Sequence, residues 1–163
     1  MTLRAVVRGV GHYLPDRVVE NAWFADRVDT SDDWIRSRSG IERRHFAAEG
    51  QTTSDLAARA AEAALADAGL SAGEIDALIL ATSTPDLTFP SAASMVQARI
   101  GMTGGFAYDV QAVCAGFVFA LANADALIRA GLARRGGEHW GERVCAPICA
   151  RSRWRRGWRP HRC

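Results

Sequence analysis

The sequence predicts an α/β fold in which helices pack in layers around a central sheet. Two short apolar segments, residues 75–81 and 106–110, have the character of inner strands. Segments with helical periodicity lie between and after them, so that strands and helices alternate along the chain. That order is typical of a layered α/β unit. The length of 163 residues suits one modest domain.

The strand predictions rest on short apolar runs that end in turn residues. Residues 3–10 alternate, are rich in valine and end among glycines, which predicts a first strand. Residues 75–81 (IDALILA) are nearly continuously apolar, as in a strand that is buried on both faces. Residues 106–110 follow a pair of glycines and predict a second inner strand.

The clearest helix is predicted over residues 52–69. Thr52 and Asp55 have the spacing of a capping box, and Gly69 stands where a helix C-terminus favours glycine. The apolar face of this helix consists of Leu56, Ala57, Ala60, Ala61, Ala64, Leu65 and Ala68. These small residues allow the helix to lie close to a sheet.

Three further segments are predicted to be helical. Residues 30–44 are polar around Trp34 and predict a short helix or an ordered loop. A helix from Pro90 to Ile100 is indicated because proline suits a first helical turn. Residues 114–131 are apolar almost all round, which predicts a buried helix. Its principal stripe is Phe117, Leu121, Ala124 and Ile128, extended by Val118 and Phe119.

Composition divides the chain near Gly136. Every one of the 20 basic residues is arginine. Residues 1–135 carry 13 arginines and 16 acidic residues, whereas residues 136–163 carry 7 arginines and 2 acidic residues. The second segment also holds three of the four cysteines and three of the five tryptophans. We therefore expect a folded region over residues 1–135. The basic tail over residues 136–163 is expected to be disordered, or to have an origin unrelated to that of the folded region.

Several broad classes are disfavoured by the sequence. No apolar run reaches the roughly 18 residues that span a bilayer, and the first residues do not resemble a secretory signal. Four cysteines without such a signal favour reduced thiols over a disulfide framework. We expect a cytoplasmic protein with no membrane association.

Cys114 is the first candidate for chemistry. It follows a predicted strand and begins a predicted helix. Unpaired amides at a helix start carry partial positive charge, so they favour a thiolate and can stabilise an oxyanion. Gly116 would keep the backbone beyond the thiol accessible. The alternative is that Cys114 is a small buried hydrophobic residue, as free cysteines commonly are.

The sequence contains four informative segments: DVQAVCAGFVFAL, TSDDWIRSRSGIERRHFA, GHYLPDRVVEN and ILATSTPDLTFPSAASMVQARIG. Together they are similar to β-ketoacyl-acyl carrier protein synthase III, a thiolase-like condensing enzyme family. DVQAVCAGFVFAL resembles the segment that carries the family's nucleophile, and TSDDWIRSRSGIERRHFA resembles its coenzyme A signature. GHYLPDRVVEN and ILATSTPDLTFPSAASMVQARIG resemble its opening turn and its middle strand and helix. The resemblance covers about residues 1–135. It implies the N-terminal half of a thiolase-like fold, with helices layered around a central mixed sheet.

The resemblance implies roles for four residues. Cys114 matches the nucleophile that accepts an acyl group from acyl-CoA. Trp34 matches the aromatic residue that stacks on adenine, and Arg38 a basic residue at the nucleotide end of coenzyme A. Phe89 matches a residue near an acyl pocket that a homodimer shares. The alternatives are a core tryptophan, a solvated arginine and a phenylalanine packed in the core.

The reaction implied by the resemblance has two stages. Cys114 takes the acyl group, and malonyl-acyl carrier protein then loses CO₂ and condenses with it at the start of a fatty-acid chain. The family uses no permanently bound cofactor. Its condensation histidine and asparagine lie in the C-terminal half, which this sequence does not resemble beyond residue 135. We therefore expect a truncated chain, with no strand after residue 131, that is inactive alone.

Other functions stay open at this point. Within the family, a ketosynthase that primes polyketides is an alternative; outside it, the chain could be a non-catalytic fragment. The tail could reflect a shifted reading frame, or it could bind nucleic acid through arginine and tryptophan, although we expect no specific nucleic-acid partner. Its Cys145, Cys149, His161 and Cys163 do not have the usual spacing of a zinc site, so we assign no metal.

Overall fold

The computed structural model of the chain describes residues 5–133 and 144–145. Contacts between residues divide the chain into two compact units. The described part of the larger unit comprises residues 5–13, 51–133 and 144–145, and the smaller unit comprises residues 14–50. The predicted tail, residues 136–163, lies outside the described residues apart from 144–145, and the boundary at residue 135 stays a prediction.

The smaller unit is a strand pair with two helices. In chain order its elements are β1 (Arg17–Glu20), α1 (Ala22–Ala25), α2 (Asp32–Ser39) and β2 (Arg43–Phe46). β1 and β2 are antiparallel, with Arg17 opposite Phe46 and Glu20 opposite Arg43. Val19, Phe24, Ile35 and Phe46 form its buried cluster, against which Trp23 packs.

Helix α2 confirms the predicted helix within residues 30–44. The Ser31 hydroxyl caps it by accepting a hydrogen bond from the Trp34 amide. Gly40 ends it with a left-handed φ of 69°, a conformation that favours glycine. The prediction did not include β2, whose charged residues give no clear strand pattern.

The larger unit contains the parallel sheet. In chain order its elements are α3 (Thr53–Ala68), β3 (Ala77–Ala81), α4 (Ala92–Arg99), β4 (Phe106–Val110), α5 (Gly116–Arg129) and β5 (Val144–Cys145). The strand order is β4-β3-β5, with β3 parallel to both neighbours. The described strands of this sheet are thus parallel rather than mixed, and the antiparallel pair belongs to the smaller unit.

Helices cover both faces of this sheet. Leu78 and Leu80 pack in one cluster with residues of α3 and α4, whereas Ile79 packs with Ala120 and Ala124 of α5. Successive side chains of a strand point to opposite faces, so β3 is the buried centre of three layers. The layered α/β arrangement, β3, α4, β4 and α5 follow the predicted order.

Helix α3 confirms its prediction closely. Thr52 accepts from the Asp55 amide, and the Asp55 carboxylate accepts from the Thr52 amide at 2.7 Å. Gly69 closes the helix with a φ of 66°. Both ends of the helix were predictable from the sequence because capping depends on side chains that are close to the helix ends in sequence.

The first predicted strand is wrong for the residues that the structure describes. Residues 5–10 form no strand, and Val6, Val7 and Val10 are exposed. The segment instead lies along α3, where the Val10 amide donates to the Asp67 carboxylate at 2.8 Å. β3 has β4 on one side and β5 on the other, so it offers the segment no free edge.

Two other expectations need correction. A strand does follow residue 131, because Val144 pairs with Ala77 and Cys145 with Leu78. Helix α5 is not buried all round: its buried residues are Gly116, Ala120, Ala124 and Ile128. Its large apolar residues Phe117, Val118, Phe119 and Leu121 are exposed. Ala124 and Ile128 of the predicted stripe are buried as expected, but Gly116 and Ala120 take the place of Phe117 and Leu121, because small residues allow close approach to the sheet.

No helix in the described part of the chain is long and apolar enough to cross a membrane. The candidate metal ligands of the tail are not among the residues whose side chains the structure describes.

Candidate active site

Cys114 lies in the connection between β4 and α5. A single 3₁₀ turn, Val113–Ala115, leads directly into α5 at Gly116. The connection follows the carboxyl end of a parallel strand, which is the edge where open α/β sheets commonly place their binding sites. Cys114 is exposed and its thiol is free. The alternative of a small buried hydrophobic residue is therefore wrong.

The turn before the thiol is strained. Among the described residues other than glycine, Val113 alone has a positive φ, of 45°. A β-branched residue rarely adopts this conformation, and such strain is concentrated at functional sites. The Val113 side chain is 76% exposed, so burial of this side chain does not compensate for the strain.

The start of α5 leaves its first amides without a side-chain cap. Its N-cap residue is Ala115, which has no group to accept from them. Gly116 is buried, and a Cβ added there would lie 3.1 Å from the Cβ of Ala81. The glycine thus permits close packing of α5 on the end of β3, a structural reason that the sequence did not reveal.

Phe89 lies in the loop between β3 and α4, at the same edge of the sheet as Cys114. Its side chain is 87% exposed, which excludes packing in the core of the described chain. Three sets of hydrogen bonds hold its loop. The Thr53 hydroxyl donates to the Thr84 carbonyl at 2.6 Å, the Ser54 amide donates to Asp86 at 3.0 Å, and Asp109 accepts from the first amides of α4.

Asp109 is a site-supporting residue that the sequence reasoning missed. Its carboxylate accepts from the Ala92 amide at 2.9 Å and the Ala93 amide at 2.7 Å. It thereby links β4, four residues before Val113, to the end of the loop that carries Phe89. The signal was a single acidic residue within an otherwise apolar strand, FAYDV.

Trp34 and Arg38 lie one turn apart on α2, in the smaller unit. The indole is 55% exposed, which excludes the alternative of a tryptophan anchored in the core. The Arg38 guanidinium carbon lies 4.9 Å from the centre of the indole ring. This cation–π pair presents a flat apolar surface beside a positive charge, a combination suited to a base and its phosphates.

A cleft of about 480 Å³ lies nearby in the smaller unit. It is lined in part by Glu20, Asp32 and Glu42 together with Arg36 and Arg43, and neither Trp34 nor Arg38 lines it. Arg36 is paired with Glu42 at 2.9 Å. Three carboxylates make this cleft a poor site for a phosphate group.

The sequence matches one family of known proteins. The family described as 3-oxoacyl-[acyl-carrier-protein (ACP)] synthase III matches residues 108–136, which include Cys114. A curated relative from Paracoccus denitrificans (strain Pd 1222), a β-ketoacyl-[acyl-carrier-protein] synthase III, is 77% identical over 132 residues. That match covers 81% of this chain and 41% of the relative. The chain thus spans about two fifths of the length of such relatives.

Solved structures agree with this match. A 3-oxoacyl-(acyl carrier protein) synthase III from Pseudomonas aeruginosa PAO1 is 50% identical with a TM-score of 0.71, over 80% of this chain and 40% of that one. The priming β-ketosynthase of the R1128 polyketide pathway is 31% identical with a TM-score of 0.72, over 80% and 40%. These similarities confirm the predicted thiolase-like α/β fold of the N-terminal region.

Proposed function

The chain carries the N-terminal portion of a β-ketoacyl-[acyl-carrier-protein] synthase III, and on this basis we propose that Cys114 accepts an acyl group from acyl-CoA. The observation that carries the proposal is the position of Cys114, exposed in a strained turn between the carboxyl end of β4 and the start of α5. The proposal also includes a cytoplasmic location for the protein and no permanently bound cofactor.

The proposed step is a thioester exchange. The Cys114 thiolate attacks the acyl carbonyl carbon, and the carbon–sulfur bond to coenzyme A then breaks. Coenzyme A leaves with the electron pair and takes up a proton, while the acyl group stays on Cys114. Amides at the start of α5 are suited to stabilise the tetrahedral oxyanion because no side chain caps them.

Trp34 and Arg38 are proposed to hold the nucleotide of coenzyme A. The exposed indole offers its face to adenine, and the Arg38 guanidinium offers charge to phosphate. Phe89 is proposed to contribute to an acyl pocket at a homodimer contact. Its exposure in a loop held by several hydrogen bonds supports that role, because a partner surface would cover it.

Condensation with malonyl-acyl carrier protein is the proposed second stage. Malonyl loses CO₂, and the resulting carbanion attacks the thioester on Cys114, which releases the thiol. This stage needs donors for an enolate oxygen. In the family these are a histidine and an asparagine outside the matched portion, so the described residues are proposed to supply acyl loading and not condensation. The identity of 77% to the Paracoccus β-ketoacyl-[acyl-carrier-protein] synthase III, against 31% to the priming β-ketosynthase, favours fatty-acid initiation.

Intact-protein mass spectrometry tests the proposal. After incubation of the full chain with acetyl-CoA, we expect one acetyl adduct, mapped to Cys114 and absent from Cys114→Ala. The matched control replaces Cys145, Cys149 and Cys163 together by alanine and should keep the adduct. Trp34→Ala should raise the acetyl-CoA concentration needed for half-loading. Loading of the tail cysteines alone, or no adduct at all, would contradict the proposal and favour a non-catalytic fragment.

A further inference from the structure

Asn21 is the most buried polar residue of the smaller unit, with 1% of its surface exposed. It follows directly after β1 and precedes α1, yet its side chain does not cap α1. Instead its carboxamide is engaged at three points away from its own element. Burial of an amide is costly unless its hydrogen bonds are made, so these three partners account for its presence.

Both amide protons of Asn21 are directed to the two ends of α2. The side-chain nitrogen donates to the Asp32 carboxylate at 2.7 Å and to the Ile41 carbonyl at 2.8 Å. Asp32 is the first residue of α2, and Ile41 follows Gly40, the residue that ends the helix. One buried group therefore bonds the chain at both ends of an eight-residue helix.

The third hydrogen bond fixes the orientation of the amide. The Asn21 oxygen accepts from the Arg44 guanidinium at 2.6 Å. Arg44 lies on β2 and its guanidinium carbon also lies 4.6 Å from the centre of the buried Phe24 ring. The oxygen accepts from a cation and the nitrogen donates to two acceptors. A flipped amide would therefore place its nitrogen against the cation and its oxygen against both acceptors.

We infer that Asn21 is a positioning residue that holds both ends of α2 against the β1–β2 pair and so fixes where Trp34 and Arg38 are presented. The inference rests on the proposed nucleotide-binding role of that tryptophan and arginine. Asn21 does not itself touch the nucleotide in this scheme. Its effect on binding arises because a helix that moves at its ends carries the indole and guanidinium with it.

The test compares four variants of the full chain, with coenzyme A as the probe. Asn21→Asp places an acceptor opposite two acceptors, and Asp32→Ala removes one of the three bonds. Asp32→Asn keeps an acceptor oxygen, and it also loses the charge that lies 3.9 Å from Arg36. Asp33→Ala is the matched control, since Asp33 is the other acidic residue in the first turn of α2.

Two measurements are made on each variant: the Kd for coenzyme A by calorimetry, and hydrogen exchange of the α2 amides with α3 as internal reference. We expect Asn21→Asp and Asp32→Ala to weaken binding roughly three- to tenfold, the range for loss of an ordinary intramolecular hydrogen bond, and to speed exchange in α2 alone. Asp32→Asn should restore both values to nearly those of the parent, and Asp33→Ala should leave them unchanged.

The outcomes separate this inference from the proposed function. If the parent chain does not bind coenzyme A, or if Trp34→Ala binds it equally well, the nucleotide role fails and exchange in α2 still decides the role of Asn21. If Asn21→Asp also loses protection from hydrogen exchange in α3, the comparison of Asp32→Ala with Asp33→Ala decides whether Asn21 positions α2. Equal affinity and equal α2 exchange in those two alanine variants would overturn the inference.

Discussion

Asp86 shows how single residues support the candidate site. It lies in the loop that carries Phe89, and it accepts hydrogen bonds from both the amide and the hydroxyl of Ser54, at the start of α3. Burial acts to raise the pKa of Asp86, but hydrogen bonds from Ser54, Thr52 and Thr53 outweigh it and lower the pKa below its ordinary value. The loop is thus stabilised most when Asp86 is ionised.

This linkage predicts a pH-dependent effect of Asp86→Asn. Because the folded pKa is the lower one, the stabilisation is complete above the unfolded pKa of about 4 and is lost as the pH falls through the folded value. We expect the variant to cost roughly 1–3 kcal/mol at neutral pH, and the difference from the parent to shrink in acid. Urea denaturation at several pH values measures both.

The exposed Asp29 supplies the control, since Asp29→Asn should change stability little at any of these pH values. A cost of Asp86→Asn that stays constant into acid would show that the ionised carboxylate is not the stabilising form.

At the scale of elements, residues 5–13 depend on close contact with α3. A Cβ added to Gly11 would lie 2.2 Å from the Ala64 amide nitrogen, and one added to Gly9 would lie 2.6 Å from that of Ala68. Real Cβ atoms do not approach backbone so closely. The segment therefore lies against α3 because glycine exposes its backbone to the helix, not because it pairs with a strand.

Gly11→Ala should consequently destabilise the larger unit. Overpacking of this kind costs about 1–3 kcal/mol, and we expect it to appear as a lower midpoint in urea together with faster hydrogen exchange in α3. Gly73→Ala is the matched control, because the nearest atom to its added Cβ is 4.0 Å away. Equal midpoints for the two variants would show that the segment does not pack on α3 in solution.

These elements also show what the sequence could reveal. The ends of α3 were predictable because Thr52, Asp55 and Gly69 act locally, and β3 because seven nearly apolar residues suit a doubly buried strand. Residues 5–10 have the same local character, but strand formation needs a neighbouring edge, which is a tertiary property. Only Ala124 and Ile128 of the buried stripe of α5 were predicted, because every side of this helix is apolar and periodicity could not distinguish the buried face near its start.

The sequence was sufficient to identify the candidate site residues, but not the residues that hold them in place. The setting of Cys114 between strand and helix, and the match of Trp34 and Arg38 to a family segment, can be read in the sequence. The hydrogen bonds of Asp109 and Asn21 span 11 to 23 residues, so the partners of these two residues cannot be identified from the local sequence. The strain at Val113 is likewise a property of the folded backbone.

At the scale of the whole molecule, the exposed apolar residues near the start of α5 have the largest consequence. Four consecutive or neighbouring large apolar residues are exposed there, namely Phe117, Val118, Phe119 and Leu121. Several large apolar residues exposed on one helix promote association, whereas single exposed apolar residues are ordinary. We therefore expect copies of the chain to associate through α5, and sedimentation velocity to show larger species as concentration rises.

The double variant Phe117→Gln/Phe119→Gln should shift sedimentation toward the monomer, since glutamine keeps the helix propensity while it removes the apolar surface. Val6→Gln/Val7→Gln is the matched control, because these two valines are also close in sequence and are even more exposed, but they lie in an irregular segment. If both double variants reduced association equally, general surface hydrophobicity would explain it. A reduction confined to the first variant would identify α5, the helix that begins beside Cys114, as the surface through which this chain meets another copy.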